Sequence, residues 1–473
     1  MGTINSAFSI ISGALDADQA ALGVVSNNVA NANTTGYTRE TPNWQENQPI
    51  DIGGVQSGTG VTETGATSVR DRVLLERLDQ QQQLASASST RLAALNTIQA
   101  LFTPDTGSSS SKAGDIGSDI SGFFSSFSSL EANPTNNALR QQVLSAASTL
   151  AGDISSAAAS LGSQKAALDQ EASGVTSQVN ALTASIAQLN LQIQSTSPNG
   201  DAGTLEDQRQ QDLSQLSQLI GINQITTENN GLSITTTSGQ LLVSEGSSFQ
   251  LTTGTVNGVT DFFLGGTDIT SQLTGGGGEL GGYLTARDQD IPSALGSLDQ
   301  LAYNVSTQVN TLNNAGTDLD GVTGTVANPL YIFNQPTVVA GSAANMSVVM
   351  TDPNQIAAAG LGQGMGDNSN ATAMANLANQ SIVNGQIPTD YYSSFVSTLG
   401  STVSSVQTEN TAQNASVTQL QTQNNALSSV NLNDEASSMT TLERSYQAAS
   451  QVFTMLNTIM ASALNLGDQT AVS

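Results

Sequence analysis

INSAFSIISGALDADQAALGVVSNNV, residues 4–29, and MTTLERSYQAASQVFTMLNTIMASA, residues 439–463, lie near the two ends of this chain. In the first, Ile4, Phe8, Ile11, Leu15, Leu22, Val25 and Val29 follow one register of alternating four- and three-residue steps. In the second, Met439, Leu442, Tyr446, Ala449, Phe453, Leu456, Met460 and Ala463 do the same. That spacing is the contact stripe of a coiled coil. Each stripe covers roughly 25 residues, about 38 Å of helix. Equal reach predicts that the two helices pair, so the chain leaves and returns to one place. Ala7, Ala14 and Ala21 form a small-residue column beside the first seam, and Val452 and Ile459 widen the second. A widened face favours more than one packing partner. Asp18 interrupts the first stripe. It reads either as a solvated mid-helix carboxylate or as a charge that discourages wrong self-packing.

Composition narrows the function classes. The chain has 473 residues, a net charge of −27 and only 10% charged residues. Two to four domains fit in this length. Lysine occurs twice, at Lys112 and Lys165. A phosphate-binding surface needs clustered Lys and Arg, so nucleic acid is not an expected partner. A polybasic membrane patch is likewise missing. There is no cysteine, which excludes disulfides and thiolate metal sites. That fits a chain refolding outside the cell without an oxidation step, and equally an ordinary cytosolic protein. The first 35 residues contain Asp16 and Asp18 but no Lys or Arg, unlike a cleavable signal peptide. No uninterrupted apolar run approaches the ~18 residues of a membrane helix, so no membrane partner is expected.

The pattern along the chain predicts a mainly α protein with an inserted β-domain, an α+β multidomain chain nested between paired terminal helices. A helix over residues 4–30 is stopped by Asn and Thr, which prefer caps and turns to helix interiors. Short strands and loops follow to Gly65, then a helix over 68–102 and a loop over 105–119. Helices dominate to residue 220, and Leu168, Ala172, Val175, Val179, Leu182, Ile186, Leu189 and Ile193 form a seam read as internal core. From Ile222 the period changes to two, with turn signals at Asn229-Asn230-Gly231 and Ser238-Gly239. Gly275–Gly278 read as a flexible exit. Helix resumes over 280–313, strands are expected at 331–333 and 346–350, and a long helix at 391–429. The expected domains are 1–35 with 430–473, a terminal coiled-coil assembly unit; 36–221 with 279–429, a helical middle; and 222–278, the β-domain.

The run that follows the first stripe is Asn27-Asn28-Val29-Ala30-Asn31-Ala32-Asn33-Thr34-Thr35-Gly36-Tyr37-Thr38-Arg39. It resembles the N-terminal signature of the flagellar axial proteins, which comprise rod, hook and hook-associated proteins. Val430-Asn431-Leu432-Asn433-Asp434-Glu435, continuing to Leu442-Glu443-Arg444-Ser445-Tyr446-Gln447-Ala448-Ala449, resembles their C-terminal signature. Leu205-Glu206-Asp207-Gln208-Arg209 and Leu280-Gly281-Gly282-Tyr283-Leu284-Thr285-Ala286-Arg287-Asp288 are similar to segments of the hook-associated members at the hook–filament junction. Gln210 and Gln211 depart from that pattern, which more usually has an acidic residue after the arginine. The resemblance implies a structural, extracellular component of the bacterial flagellum, exported without a cleaved signal. It implies a homo-oligomeric ring or helical layer, contacting the hook protein and the second hook–filament junction protein. It also implies a cytoplasmic export chaperone at the C-terminal region. The signature residues it marks are Asn27, Asn28, Asn31, Asn33, Gly36, Tyr37, Arg39, Asp207, Gln208 and Arg209.

Catalysis finds little support. With no His and no Cys, base–nucleophile triads are unavailable. Carboxylate pairs could hydrolyse glycosides, but Asp207, Asp288, Asp434 and Glu435 already fall in the signatures above. Gly275–Gly278 lack a phosphate-binding lysine, and Asp318-Leu319-Asp320-Gly321 lacks the later ligands of a calcium loop. No enzyme activity, cofactor or metal is expected. The rival readings are another axial protein (hook or rod), a secreted carboxylate-based hydrolase, and a cytosolic coiled-coil scaffold.

Overall fold

The computed structural model describes residues 2–469 except 53, 104–114, 198–199, 229 and 257. Residues 105–114 of the expected 105–119 loop, and Asn229 of an expected turn, lie outside the described residues, while 116–119 of that loop are helix.

The first helix, α1 (Gly2–Asn31), leads into an antiparallel pair, β1 (Glu40–Glu46) and β4 (Val61–Ser68), tipped by β2 (Ile50–Ile52) and β3 (Val55–Ser57). The register shifts between Pro42 and Trp44, because proline has no N–H for the ladder. This hairpin packs on α1, closely enough that a Cβ on Gly13 would sit 3.0 Å from the Val61 carbonyl oxygen. Four helices follow: α2 (Arg72–Phe102), α3 (Ile116–Ala132), α4 (Asn137–Thr196) and α5 (Thr204–Leu219). Asp71, Asp115 and Asn136 cap the first three through side-chain oxygens that accept backbone N–H groups.

The 60 residues of α4 run about 90 Å. Its N-terminal half, with Val143, Leu150 and Ile154, enters a core built with Phe123, Phe127, Leu298, Val305 and Phe333. Its C-terminal half, with Val175, Val179 and Ile186, enters a second core with Leu216, Ile234, Val243 and Phe262. Of the 168–193 seam, only Leu182 is less than fully buried. One helix therefore serves as the spine of both cores.

The second core belongs to the inserted strands. β5 (Ile222–Thr226), β6 (Leu232–Thr236), β7 (Leu241–Ser244) and β8 (Ser247–Ser248) form one antiparallel sheet. β9 (Leu251–Val256), β10 (Val259–Leu264) and β11 (Thr267–Asp268) form another. A turn of helix, α6 (Thr270–Leu273), closes the insertion. The glycines after it do not make a flexible exit. A Cβ on Gly221 would fall 1.6 Å from the Gly276 oxygen, and one on Gly278 within 2.6 Å of the Leu219–Ile220 backbone. The two ends of the insertion cross backbone to backbone, and only glycine fits that crossing.

The expected helix over 280–313 is three pieces in line: α7 (Gly278–Thr285), a π turn (Ala286–Asp290) and α8 (Ile291–Ala315). Segments 331–333 and 346–350 are not strands. A single bridge joins Phe333 to Val348. Asn310 on α8 takes the place of a neighbouring strand, accepting the Ile332 and Phe333 N–H groups at 3.0 Å and donating to the Phe333 carbonyl at 2.9 Å. Helices α9 (Ser369–Asn376), α10 (Pro388–Ser428) and α11 (Leu432–Gln469) complete the chain. α10 packs along α2, and α11 packs along α1.

One expectation needs correcting. Although no uninterrupted apolar run is long enough, Ile4–Asn31 as a whole is long and apolar enough, by length and composition, to cross a membrane. Here its apolar side chains face α11 and the hairpin.

The glycine crossing makes a test. Gly221→Ala is expected to destabilise the fold by about 2 kcal/mol or more, because backbone must move. Gly174→Ala, in open space on α4, is expected to stabilise by about 0.5–1 kcal/mol. Urea unfolding followed by circular dichroism measures both.

Candidate assembly interface and its polar joint

The structure brings the two terminal stripes together. The rings of Phe8 and Phe453 meet at 4.5 Å between centroids, tilted by 44°. Ile4, Phe8, Ile11, Leu15 and Leu22 on α1, and Met439, Leu442, Phe453, Leu456 and Met460 on α11, are half-buried. Val25 is buried, but Val29 and Tyr446 are 39% and 38% exposed and stand at the margin of the seam. The most enclosed line on α1 is Ala17, Ala21, Val25 and Asn28, because the hairpin covers one flank of the helix and α11 the other. Asp18 is not a fully solvated carboxylate. It is half-buried, and its Oδ2 is shielded without a hydrogen-bond partner.

At the end of the seam the packing turns polar. Asn28 is 1% exposed and uses its whole amide. Its Nδ2 donates to the Glu40 carbonyl at 2.8 Å and to Glu435 Oε2 at 3.1 Å. Its Oδ1 accepts the Tyr37 hydroxyl and the Glu40 N–H, both at 2.9 Å. Arg39 Nε lies 3.9 Å from Glu435 Oε1, and the Arg39 N–H donates to the Ser428 carbonyl at 2.9 Å. One asparagine therefore ties α1 to β1 and to the return helix α11. Asn31 donates back to Asn27 and finishes the helix. Gly36 has a φ of +79°, which reverses the chain where a Cβ would strike the Gln211 side chain.

The turn is then anchored to the body. Asp207, on α5, accepts the Thr38 N–H at 2.9 Å through Oδ2 and the Thr38 hydroxyl at 2.6 Å through Oδ1. Arg70, just before α2, reaches Asp207 Oδ1 at 2.6 Å and also contacts Glu206. Arg72 reaches Glu206 at 3.0 Å. Arg209 turns the other way, donating to Asn190 Oδ1 at 2.9 Å and the Asn230 carbonyl at 2.8 Å. Asn33 and Gln208 are exposed. Sequence reading missed Thr38, Glu40, Arg70, Arg72, Glu206 and Glu435 as joint residues. Arg70 and Arg72 carried a signal, since they place two of 11 cations within three residues.

Burial shapes the charges here. The Tyr37 hydroxyl is pushed up to about 12 by burial, then by Glu40, Asp207 and Glu435, so it stays a donor. Burial raises Glu40 as well. Burial lowers Arg209 to about 10. Burial opposes ionisation of Asp201 too, but the N–H groups of Gly203 and Ser68 and the charge of Arg70 hold it below the usual range. Asp79, on α2, is 2% exposed and accepts Gln210 and Gln224 at 2.9 and 2.8 Å. Burial raises it to about 6. Among the described residues no cluster of acidic side chains could hold a metal ion.

Comparisons with known proteins bear on the same segments. Residues 105–326 match the family described as flagellar hook-associated protein FlgK helical domain, and residues 10–38 match the flagella basal body rod protein family. The chain is 26% identical to flagellar hook-associated protein 1 of Salmonella typhimurium, over 96% of this chain and 98% of that one. The homologue of the same name from Escherichia coli gives the same values. That of Bacillus subtilis is 24% identical over 96% of both chains. Among solved structures, the flagellar hook junction protein FlgK from Burkholderia pseudomallei is similar in fold, with a TM-score of 0.63 at 18% identity. The match covers 73% of this chain and 99% of that one.

Two outcomes test the joint. Arg70→Met leaves Glu206 and Asp207 buried with less compensation, and is expected to cost about 3–5 kcal/mol in urea unfolding. Asp79 has a raised folded pKa, so its stabilising protonated form is fully present below the unfolded value near 3.8 and is lost as pH rises through about 6. Asp79→Asn is therefore expected to be more stable than the parent at pH 7 by about 1–3 kcal/mol, with the gap closing by pH 4. Thermal melts across that range measure the gap.

Proposed function

We propose that this chain, which matches the flagellar hook-associated protein FlgK helical domain family over residues 105–326 and is 26% identical to flagellar hook-associated protein 1 of Salmonella typhimurium, builds the joint between hook and filament. It is a structural component that self-assembles through its terminal helices. The observation carrying this reading is the pairing of α1 with α11 beside a face of α11 that none of the described residues covers. Val452, Met455 and Ile459 stand exposed on that face, Met455 at 61%. A helix apolar on two sides is built for two partners. One is α1; the other comes from neighbouring copies.

The assembly contact is head-to-tail within a layer of copies, giving a ring where the rotation closes and a helical tier where it does not. Its residues are Ile4, Phe8, Ile11, Leu15, Leu22, Val25 and Val29 with Met439, Leu442, Tyr446, Phe453, Leu456 and Met460. Half-buried seams give a monomer little reason to keep these helices ordered, so both termini fold as copies assemble. The units are 1–35 with 430–473, 36–221 with 279–429, and 222–278. The hairpin of the second unit leans on the first. The hook protein lies on one side and the second junction protein on the other. An export chaperone holds the C-terminal region in the cytoplasm, and the N-terminus is retained after export.

Deletion of residues 4–29 from the chromosomal copy tests the role. Intact hooks without filaments, with filament subunits shed to the medium, are the expected result. Missing hooks move the chain to the hook or rod, and normal swimming overturns the reading. Hydrogen exchange on the purified monomer tests folding on assembly. Amides 4–29 are expected to exchange at nearly unprotected rates, and full protection refutes that step.

A further inference from the structure

Where α2, α5 and the end of α10 meet the turn after α1 lies a cavity of about 410 Å³. Leu75 and Leu78 give it an apolar side, and Asp79 follows them on the same face of α2. Arg70 and Asp207 also line it, but they are spent on each other at 2.6 Å. Asp79 is not matched in this way. It is 2% exposed, and the charged neighbour that bears on it is Glu76, another acid. Its Oδ2 takes the amides of both Gln210 and Gln224, at 2.9 and 2.8 Å, while its Oδ1 has no hydrogen-bond partner among the described residues. On the α10 side of the cavity, Asn424 and Asn425 accept hydrogen bonds only through their backbone carbonyls, which leaves their side-chain amides available.

We propose that this cavity binds a primary alkylammonium group, held by Asp79 Oδ1 and the side-chain amide oxygens at the end of α10. A buried carboxylate without a cation costs the fold stability. A group that costs stability, and that lines a cavity with one oxygen unused, marks a binding site rather than packing. The oxygen that remains selects the ligand. A guanidinium binds best when it forks across both oxygens of a carboxylate, and here the two glutamines already hold one of them. An ammonium is a point charge with three donors, so one carboxylate oxygen and two amide oxygens satisfy it. Its methylene stem lies along Leu75 and Leu78, where an apolar stem is covered and the charged head stays among polar groups. A free amine and a lysine of a bound protein are the two sources of such a group. Lysine occurs in this chain only at Lys112 and Lys165. Either source bridges α2 to the end of α10, whose Ser428 carbonyl holds the Arg39 N–H, and so tightens the return of the chain toward α11. The site stands independently of the assembly reading above.

Titration calorimetry on the full chain at mildly alkaline pH tests the site, with butylammonium and butylguanidinium as probes. Butylammonium is expected to bind saturably with a Kd of about 1 mM or tighter, and butylguanidinium about fivefold or more weakly. Asp79→Asn is expected to weaken butylammonium by about tenfold or more. That variant keeps an acceptor for the two glutamines and is expected to melt no lower than the parent, so its loss of binding reports the site and not unfolding. Asp79 takes up a proton as pH falls through about 6, and the affinity is expected to drop about tenfold for each further pH unit. A second measurement separates the two sources. Carbodiimide treatment of isolated flagella couples a carboxylate to an adjacent amine as an amide, the displaced oxygen leaving on the reagent as a urea. A cross-link from Asp79 to a lysine of another chain, read by mass spectrometry, assigns the site to a bound protein. Butylammonium binding without that cross-link assigns it to free amines. Neither binding nor cross-link, or binding that Asp79→Asn leaves unchanged, overturns the site. Equal affinity for the two probes overturns the choice of ammonium.

Discussion

The carboxylate of Asp207 is the point on which the arrangement of the ends depends. Its two oxygens take the Thr38 N–H, the Thr38 hydroxyl and the Arg70 guanidinium. Those donors come from the turn after α1 and from the start of α2, while the acceptor rides on α5. A buried carboxylate is tolerable only when its oxygens are occupied, so this geometry admits few alternatives. Fixing Thr38 fixes the direction in which β1 leaves α1. The next residues on either side, through Asn28 and Glu435, then fix α11. The terminal seam is half-buried and weak by itself. Its placement relative to the body comes from this polar joint and not from apolar burial.

The inserted strands are held by two devices, a tight backbone crossing and a buried arginine. Gly221 and Gly276–Gly278 bring the entrance and exit of the insertion into contact. The π turn at Ala286–Asp290 adds one residue per turn and reorients the side chains after α7. Arg287 there is 1% exposed, pairs with Asp288 and Asp169, and donates to the Thr260 carbonyl at 2.7 Å. It joins α4 to β10 across the second core. Arg91 pairs with Asp290 on the same turn at 2.9 Å and joins it to α2. A regular helix through 286–290 would point these two acidic side chains elsewhere.

The sequence made the helices legible because their apolar residues repeat over many turns. The seam on α4 and the stripes on α1 and α11 are of this kind. It also made Asn28, Tyr37, Arg39 and Asp207 visible, through resemblance and not through any pattern of their own. What stayed hidden was set by contacts between distant segments. Nothing local marks Asn310 as a substitute for a strand, or Arg70 as the partner of residues more than 130 positions away. Gly275–Gly278 misled for the same reason. Glycine runs serve flexibility and close approach alike, and only the position of Ile220 decides between them. Val29 and Tyr446 fell at the margin because an ideal stripe assumes one partner, whereas α1 has the hairpin as a second.

Charge bears on the assembly proposed above. Seven arginines, Arg39, Arg70, Arg72, Arg91, Arg140, Arg209 and Arg287, lie at joints between elements. Arg140, fully buried, holds the carbonyls of Pro134 and Asn354. With the cations engaged internally, the outer surface is left acidic, and copies repel at a distance. Attraction arises only at contact, where apolar side chains meet and water is expelled. A neighbour out of register meets carboxylates without gaining apolar cover, so repulsion penalises wrong registers more than the right one. In the assembly proposed above, an acidic chain with few exposed cations would favour one packing of its terminal helices over the others.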